Sequence, residues 1–319
     1  IRASLSRRRH SPSGAPATEF ALSPTTEAIA EQLRRAAAAD LPVLLTGETG
    51  VGKEVAARYL HASSHRSGSP FVAVNCGAIP HELLESQFFG HERGAFTGAT
   101  QAHVGYFEEA ADGTLFLDEI GELDTRLQTA LLRVLEDGQF RPVGSRKDRT
   151  FGGRMVAATN ADLGQLRSER KFRDDLYYRL SVIEIPLPPL RERREEIEPL
   201  AQRFLDELSA GDRPPPSLSG DALRALLRHN WPGNIRELRN RLQRASVFVK
   251  GDMLEVADIF PEMRLVGVEE ETLADVRKRA EADLIERAII ASHGRIGDAA
   301  KQLGISRTTL WKRRGKSKT

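Results

Sequence analysis

The chain has 319 residues, 40% hydrophobic and 29% charged, enough for two or three globular domains with ample core. Its net charge is only +2, yet residues 295–319 hold eight Lys/Arg against the single acid Asp298, which predicts a nucleic-acid partner for that end and leaves the remainder net negative. The one cysteine, Cys76, excludes an internal disulfide and fits a reducing compartment, no apolar run approaches the roughly 18 residues of a membrane span, and no signal peptide is visible, so a cytoplasmic protein without a membrane partner is expected.

Residues 1–19 are rich in Arg, Ser and Pro, lack periodicity, and read as a flexible linker. A helix is predicted over 26–39, with Ile29 and Leu33 at helical spacing. The apolar strand Val43-Leu44-Leu45-Thr46 then runs into Gly47-Glu48-Thr49-Gly50-Val51-Gly52-Lys53-Glu54. This is Walker A spacing. Glycines let backbone N–H groups turn toward phosphates, the following helix presents its positive end, and Lys53 reaches the terminal phosphates. Glu54 stands where most such loops carry the Ser/Thr that holds magnesium, so the metal must rest on other groups.

Phe71-Val72-Ala73-Val74 reads as a second strand ending at Asn75, and Cys76 as a small packed residue. A helix is predicted over 81–89. It leads to Gly94-Ala95-Phe96-Thr97-Gly98-Ala99, a poor helix or strand because of its glycines, with one large apolar side chain among small ones. On composition this is either a hairpin whose Phe96 folds back on its own domain or a contact loop. The strand Thr114-Leu115-Phe116-Leu117 ends in Asp118-Glu119, a Walker B pattern: Asp118 would bind Mg2+ and Glu119 would orient the attacking water. A helix is expected over 127–135 and a loop or hairpin over 137–153. A further strand, 155–158, ends in Thr159-Asn160, polar groups placed to sense a γ-phosphate. Alternating strands and helices imply an α/β fold, a parallel sheet with helices on both faces and the ligand at the strand C-terminal ends.

The set made of the Walker A loop, Asn75-Cys76, Phe88-Phe89-Gly90-His91-Glu92, the 94–99 hexapeptide and Phe116-Leu117-Asp118-Glu119-Ile120 closely resembles the AAA+ P-loop domain of bacterial enhancer-binding proteins, the activators of sigma-54 RNA polymerase. In that family Glu is usual at the position of Glu54. The resemblance implies that the 94–99 loop touches the sigma factor. It also implies that Asn75 couples the γ-phosphate to Glu119, and that Thr159 and Asn160 form the first sensor. One run departs: Phe151-Gly152-Gly153-Arg154 stands where the family usually has an acidic residue before the sensor strand.

A helix is predicted over 171–179, carrying Arg173 and Arg179. Without context these pair with Asp174 and Asp175; the family places its arginine fingers, completing a neighbouring subunit's site, at these positions. Pro186, Pro188 and Pro189 end the α/β part. Three amphipathic helices over 195–208, 219–229 and 234–248 predict a small helical lid, and Trp231-Pro232-Gly233-Asn234-Ile235-Arg236 resembles the family's second sensor, with Arg236 on the phosphates. After an acidic link at 263–271, a stripe of Leu273, Val276, Ala280, Leu284, Ala288 and Ala291 suits helix pairing and a dimer. Residues 298–314 read as an all-α helix-turn-helix, similar to the Fis-type domain: Ala300 packs closely, Gly304 turns, Ser306 caps. Arg307, Thr308 and Thr309 would face base edges of double-stranded DNA, while Lys312, Arg313 and Arg314 would hold phosphates.

The expected organisation is a linker (1–19), an AAA+ α/β subdomain (20–188), a lid (189–262), a link (263–271) and a DNA reader (272–319). The expected function is an ATP- and Mg2+-dependent activator that binds enhancer DNA, forms by family resemblance a hexameric ring, and remodels sigma-54 RNA polymerase holoenzyme. Two alternatives stay open: a DNA-binding regulator using ATP only as an assembly ligand, and a general AAA+ protein remodeller.

Overall fold

A computed structural model describes residues 23–208, 214–249, 251–265, 296–306 and 310. The chain divides into two compact units, 1–259 and 260–319. The first is an α/β AAA+ P-loop fold with a helical lid. Its order begins α1 (Pro24–Ala39), β1 (Val43–Thr46), α2 (Lys53–Ala62), β2 (Phe71–Asn75), α3 (His81–Phe89), α4 (Tyr106–Ala110), β3 (Thr114–Asp118) and α5 (Thr125–Asp137). A short hairpin of β4 (Gln139–Phe140) and β5 (Arg149–Thr150) precedes β6 (Arg154–Thr159), α6 (Leu163–Ser168), α7 (Asp174–Leu180) and β7 (Ile183–Pro186).

Five strands form one parallel sheet in the order β2-β3-β6-β1-β7. Side chains alternate across it, so strands buried on both faces read as continuous apolar runs. Leu44, Leu115, Leu117, Met155 and Ala157 join the core beneath α3, α4 and α5; Val43, Leu45, Phe116, Val156 and Ala158 join the one beneath α1 and α2. The order puts β6 between β1 and β3. The Walker A loop after β1 and Asp118 at the end of β3 therefore open on the same edge, with the end of β6 between them.

The lid comprises α8 (Ile197–Leu208), α9 (Gly220–Arg228) and α10 (Asn234–Phe248). Its core takes Leu200, Phe204, Leu226, Trp231, Leu238 and Leu242. A two-residue parallel ladder, β8 (Ser217–Leu218) with β9 (Met253–Leu254), was not legible in the sequence; pairs this short carry no periodicity.

Two local readings change. The helix expected over 171–179 begins only at Asp174. Arg170 is left-handed (φ 57°), and the N–H groups of Lys171 and Phe172 both donate to the Leu166 carbonyl, which breaks helical register and leaves Arg173 just outside the helix. The departing Phe151-Gly152-Gly153-Arg154 run is a packing device. Phe151 is buried edge-on against Phe107, a Cβ on Gly152 would run into the Asp112 carboxylate, and one on Gly153 would lie 2.7 Å from the Ala111 carbonyl. The Asp112 carboxylate is exposed and can move, but the Ala111 carbonyl is backbone, so it is at 153 that glycine lets the hairpin return to the sheet this close to that turn.

In the second unit, a helix Ile296–Gln302 is followed by a turn at Gly304 (φ 64°), and Leu310 N–H donates to the Ser306 carbonyl. Buried Ala300 and Leu310 pack with Ile296, Leu303 and Ile305. Arg307, Thr308, Thr309, Lys312, Arg313 and Arg314, expected to face bases and phosphates, lie outside the described residues, as do 1–22 and 266–295.

Candidate nucleotide site

A cavity of about 320 Å3 opens along the Walker A loop. Its walls carry Thr49, Gly50, Val51, Gly52, Lys53 and Glu54 from the loop and α2, Asp118 and Glu119 from β3, and Ile235 and Arg236 from the lid. The loop passes through left-handed backbone at Gly47, Gly50 and Gly52. Its size and its N–H groups at the start of α2 suit a nucleotide's phosphates. Lys53 Nζ donates to the carbonyls of Gly47 (2.7 Å) and Glu48 (3.2 Å). Burial pushes the Lys53 ammonium down, opposed by the Asp118 and Glu119 carboxylates; burial pushes Asp118 up, opposed by Lys53.

Glu119 has φ 57°, a left-handed conformation uncommon for a residue with a Cβ and a strain that clusters at working sites. Its N–H donates to Asp118 Oδ1 (3.1 Å). Glu119 Oε2 and Asn75 Oδ1 both lie beside Gly77, 2.8 and 3.5 Å from where a Cβ there would stand. Asn75 is therefore near Glu119, but its Oδ1 accepts from Ala78 N–H (3.1 Å). Asn160 reaches the Walker A loop, donating to Thr49 Oγ1 (2.8 Å), whereas Thr159 is buried with its hydroxyl accepting from Ala161 N–H. Thr159 shapes the turn after β6 and does not line the cavity.

The sequence reading missed a second layer that ties the loop to the lid. Glu48 accepts both Arg191 terminal nitrogens (2.9 and 2.6 Å) and Asn234 Nδ2 (3.0 Å). Buried Arg193 donates to the Val51 carbonyl (2.7 Å) and pairs with buried Glu196, whose Oε1 accepts Ser23 and Thr26, the capping box of α1. The available signal was the Leu190-Arg191-Glu192-Arg193 run immediately after the proline break. Arg191 first, and then Asn234, hold the Glu48 carboxyl down at about 2 from 4.5. A carboxyl depressed on folding adds stability that is complete above its unfolded value and is lost as pH falls through the folded one. The tie should therefore be indifferent to pH above about 4.5 and fail toward 2. A carboxyl NMR titration of Glu48 checks this; a midpoint near 4.5 would mean the pairing is absent in solution.

Three family models match the chain in succession: a sigma-54 interaction domain over residues 20–186, an AAA+ ATPase lid domain over 191–275, and a Fis-family bacterial regulatory protein domain over 276–316. The chain belongs to the sigma-54 activator family. It is 44% identical over 296 residues to the phenol regulator MopR of Acinetobacter guillouiae, covering 88% of this chain and 53% of that protein. It is 41% identical to the transcriptional regulator NtrC of Azospirillum brasilense, covering 91% of this chain and 67% of that one. The structure is similar to crystal structures of NtrX from Brucella abortus bound to ADP (TM-score 0.73) and to ATP (0.71), each at 31% identity. These alignments cover 93% and 95% of this chain and 69% and 70% of NtrX.

In this member of the family the 94–99 loop stands away from the cavity. It is closed at its base by Gly94 N–H on the Ala99 carbonyl (2.8 Å), with Ala99 buried and Thr97 exposed. One side of Phe96 rests on His91 (ring centroids 4.9 Å), as a loop folded back on its own domain would have it, and 40% of the residue is exposed. The hairpin braces the stem of the loop: Glu92 N–H donates to the Val143 carbonyl, and Arg149 lies 4.0 Å from the Glu92 carboxylate. Arg173 and Arg179 do not line the cavity of their own chain. Arg173 is forked onto Asp175 (3.0 and 2.6 Å), the surface pairing weighed from the sequence. Arg179 is exposed, with one long hydrogen bond to the Leu135 carbonyl (3.4 Å). Arg236 lines the cavity and forms no ion pair among the described residues; the nearby Glu237 and Glu207 pair with Arg241 and Arg239. Also among the described residues, no helix is long and apolar enough to cross a membrane.

Proposed function

We propose that this chain hydrolyses ATP in order to activate transcription by sigma-54 RNA polymerase. The observation that carries the reading is the single cavity that holds Lys53, Asp118, Glu119 and Arg236, on a chain that also presents an exposed, glycine-bounded loop at 94–99. The Walker A N–H groups and Lys53 would bind the phosphates, Glu119 would orient water, and Asn160 and Arg236 would sense the terminal phosphate. Asn75 would pass the state of that phosphate to Glu119. Mg2+ would supply charge neutralisation on the β- and γ-phosphates. Asp118 is the residue to hold it; among the described residues no group of three or more His, Cys, Asp or Glu forms a metal cage, so the ion would be shared with the phosphates. Arg173 and Arg179 would complete the site of the next subunit in a ring, a hexamer by family resemblance.

The division into 20–188, 189–262 and 272–319 assigns hydrolysis to the first two segments and enhancer DNA to the last, where Arg307, Thr308 and Thr309 would read bases and Lys312, Arg313 and Arg314 would hold phosphates. Gly94, Ala95, Phe96, Thr97, Gly98 and Ala99 would touch the sigma factor. The test is promoter opening by sigma-54 polymerase with ATP, comparing wild type with Thr97→Ala. Opening should fall steeply while ATP turnover stays near wild type, because Thr97 is exposed and outside the cavity. Equal opening would remove the contact role of the loop; ATP binding without turnover in the wild type would favour ATP as an assembly ligand.

A further inference from the structure

Glu48 is the Walker A residue that phosphate chemistry does not require, and its side chain is not among those lining the cavity. All its partners lie on the lid side. Arg191 belongs to the short turn Leu190–Glu192, and Asn234 is the first residue of α10. Asn234 is fully buried, left-handed (φ 50°), and fully satisfied: Oδ1 accepts Leu190 N–H (2.8 Å), and Nδ2 donates to Glu48 Oε2 and to the Thr49 carbonyl (3.1 Å). The next two N–H groups of α10, on Ile235 and Arg236, both point at the Gly50 carbonyl (3.0 and 3.3 Å).

The contact is also steric. A Cβ on Gly50 would lie 2.5 Å from the Gly233 carbonyl and 2.9 Å from Arg236 Cβ, so glycine at this position of the phosphate loop is required by the lid itself. The elbow that delivers α10 is strained, with Trp231 at φ 49° and its indole N–H held by the Leu226 carbonyl. Trp231 is held from within the lid, by Leu226 and His229, while the residues that follow it, Gly233 to Arg236, meet the tip of the phosphate loop.

We propose that Glu48, Arg191 and Asn234 form a latch between the phosphate loop and the lid, which fixes where Arg236 stands and must open for nucleotide to leave. All three are positioning residues. The latch has two parts of different character: a buried amide that sets register, and a half-exposed ion pair that can open and close without a cavity being left behind. The fork geometry gives that pair directional strength beyond a point-charge contact. Its consequence for nucleotide exchange rests on the ATP-hydrolysing function proposed above; its consequence for lid position does not.

Glu48 and Arg191 are the residues to change, since both are about 40% exposed and tolerate truncation better than buried Asn234. In the full chain, Arg191→Ala and Glu48→Ala should each release a fluorescent ATP analogue about ten-fold faster, with KM raised to match. The double variant should be no worse than Glu48→Ala alone, because that change already removes the acceptor of Arg191. Glu48→Gln, which keeps an acceptor for Asn234, should fall between. A second readout needs no nucleotide: spin labels on Leu41→Cys and Val247→Cys, both exposed, should show a broader distance distribution in the Arg191→Ala background. Cys76 is buried and its thiol is pushed up by that burial, so it should stay unlabelled.

Additive singles, a fall in kcat at unchanged KM, or release and distances that match wild type would each overturn the latch. A wild type that binds no nucleotide would instead overturn the hydrolytic function. The label distances would then decide the latch alone, with broadening supporting it and an unchanged distribution rejecting it.

Discussion

Glu119→Gln should leave nucleotide binding intact and lower single-turnover hydrolysis by about 10²–10⁴, the usual contribution of a positioned proton acceptor. Glutamine keeps the length and one oxygen of the side chain but loses the anion that can take up a proton from attacking water. Binding should survive because Lys53 stays anchored on the carbonyls of Gly47 and Glu48 and keeps the Asp118 carboxylate as support for its charge, and the Walker A N–H groups make no bond to Glu119. Local structure should survive as well, because the backbone anchor at this position is Glu119 N–H on Asp118 Oδ1, which glutamine retains. The measurement is single-turnover hydrolysis beside equilibrium binding of the same nucleotide. Normal hydrolysis by the variant would mean that another group orients water. The nearest candidate is Asn75, whose oxygen also lies beside Gly77.

What the sequence revealed and what it hid follow from the range of the interactions. The Walker A loop, the Asp118-Glu119 pair and the parallel sheet were legible because each is local: a strand, a turn and a helix start carry their own residue signature. The start of α10 at Asn234 was legible for the same reason. The tie from Glu48 to Arg191 and Asn234 was not, since it joins residues about 140 and 190 positions apart, and neither end announces a partner. Nor could the sequence show that Glu119 sits in left-handed backbone, because nothing in its residue type asks for that; it stands at the junction of β3 with the turn Ile120–Glu122. The Gly152-Gly153 pair looked like a departure. It proved to be close packing against Asp112 and Ala111, a cause visible only with the neighbouring turn in place.

Arg179→Ala should abolish most turnover, by about 10³–10⁵ if the arginine acts on a neighbour's γ-phosphate. Of the two arginines it is the better placed for this. Arg173 would first have to leave its fork with Asp175, whereas Arg179 holds only one long hydrogen bond to a carbonyl. A loss of activity alone does not distinguish a residue acting on its own cavity from one acting on the next. Mixing does. Arg179→Ala and Glu119→Gln chains are each expected to be inactive when pure. In a head-to-tail ring made from equal amounts of both, about a quarter of interfaces set an intact Glu119 against an intact Arg179 from the neighbour, and those sites should turn over. An arginine that served its own chain would recover nothing on mixing, since no single chain then carries both groups. Recovery therefore reports the direction in which the arginine points, and its absence, with assembly confirmed by sedimentation, would return Arg179 to an ordinary exposed residue at the end of α7.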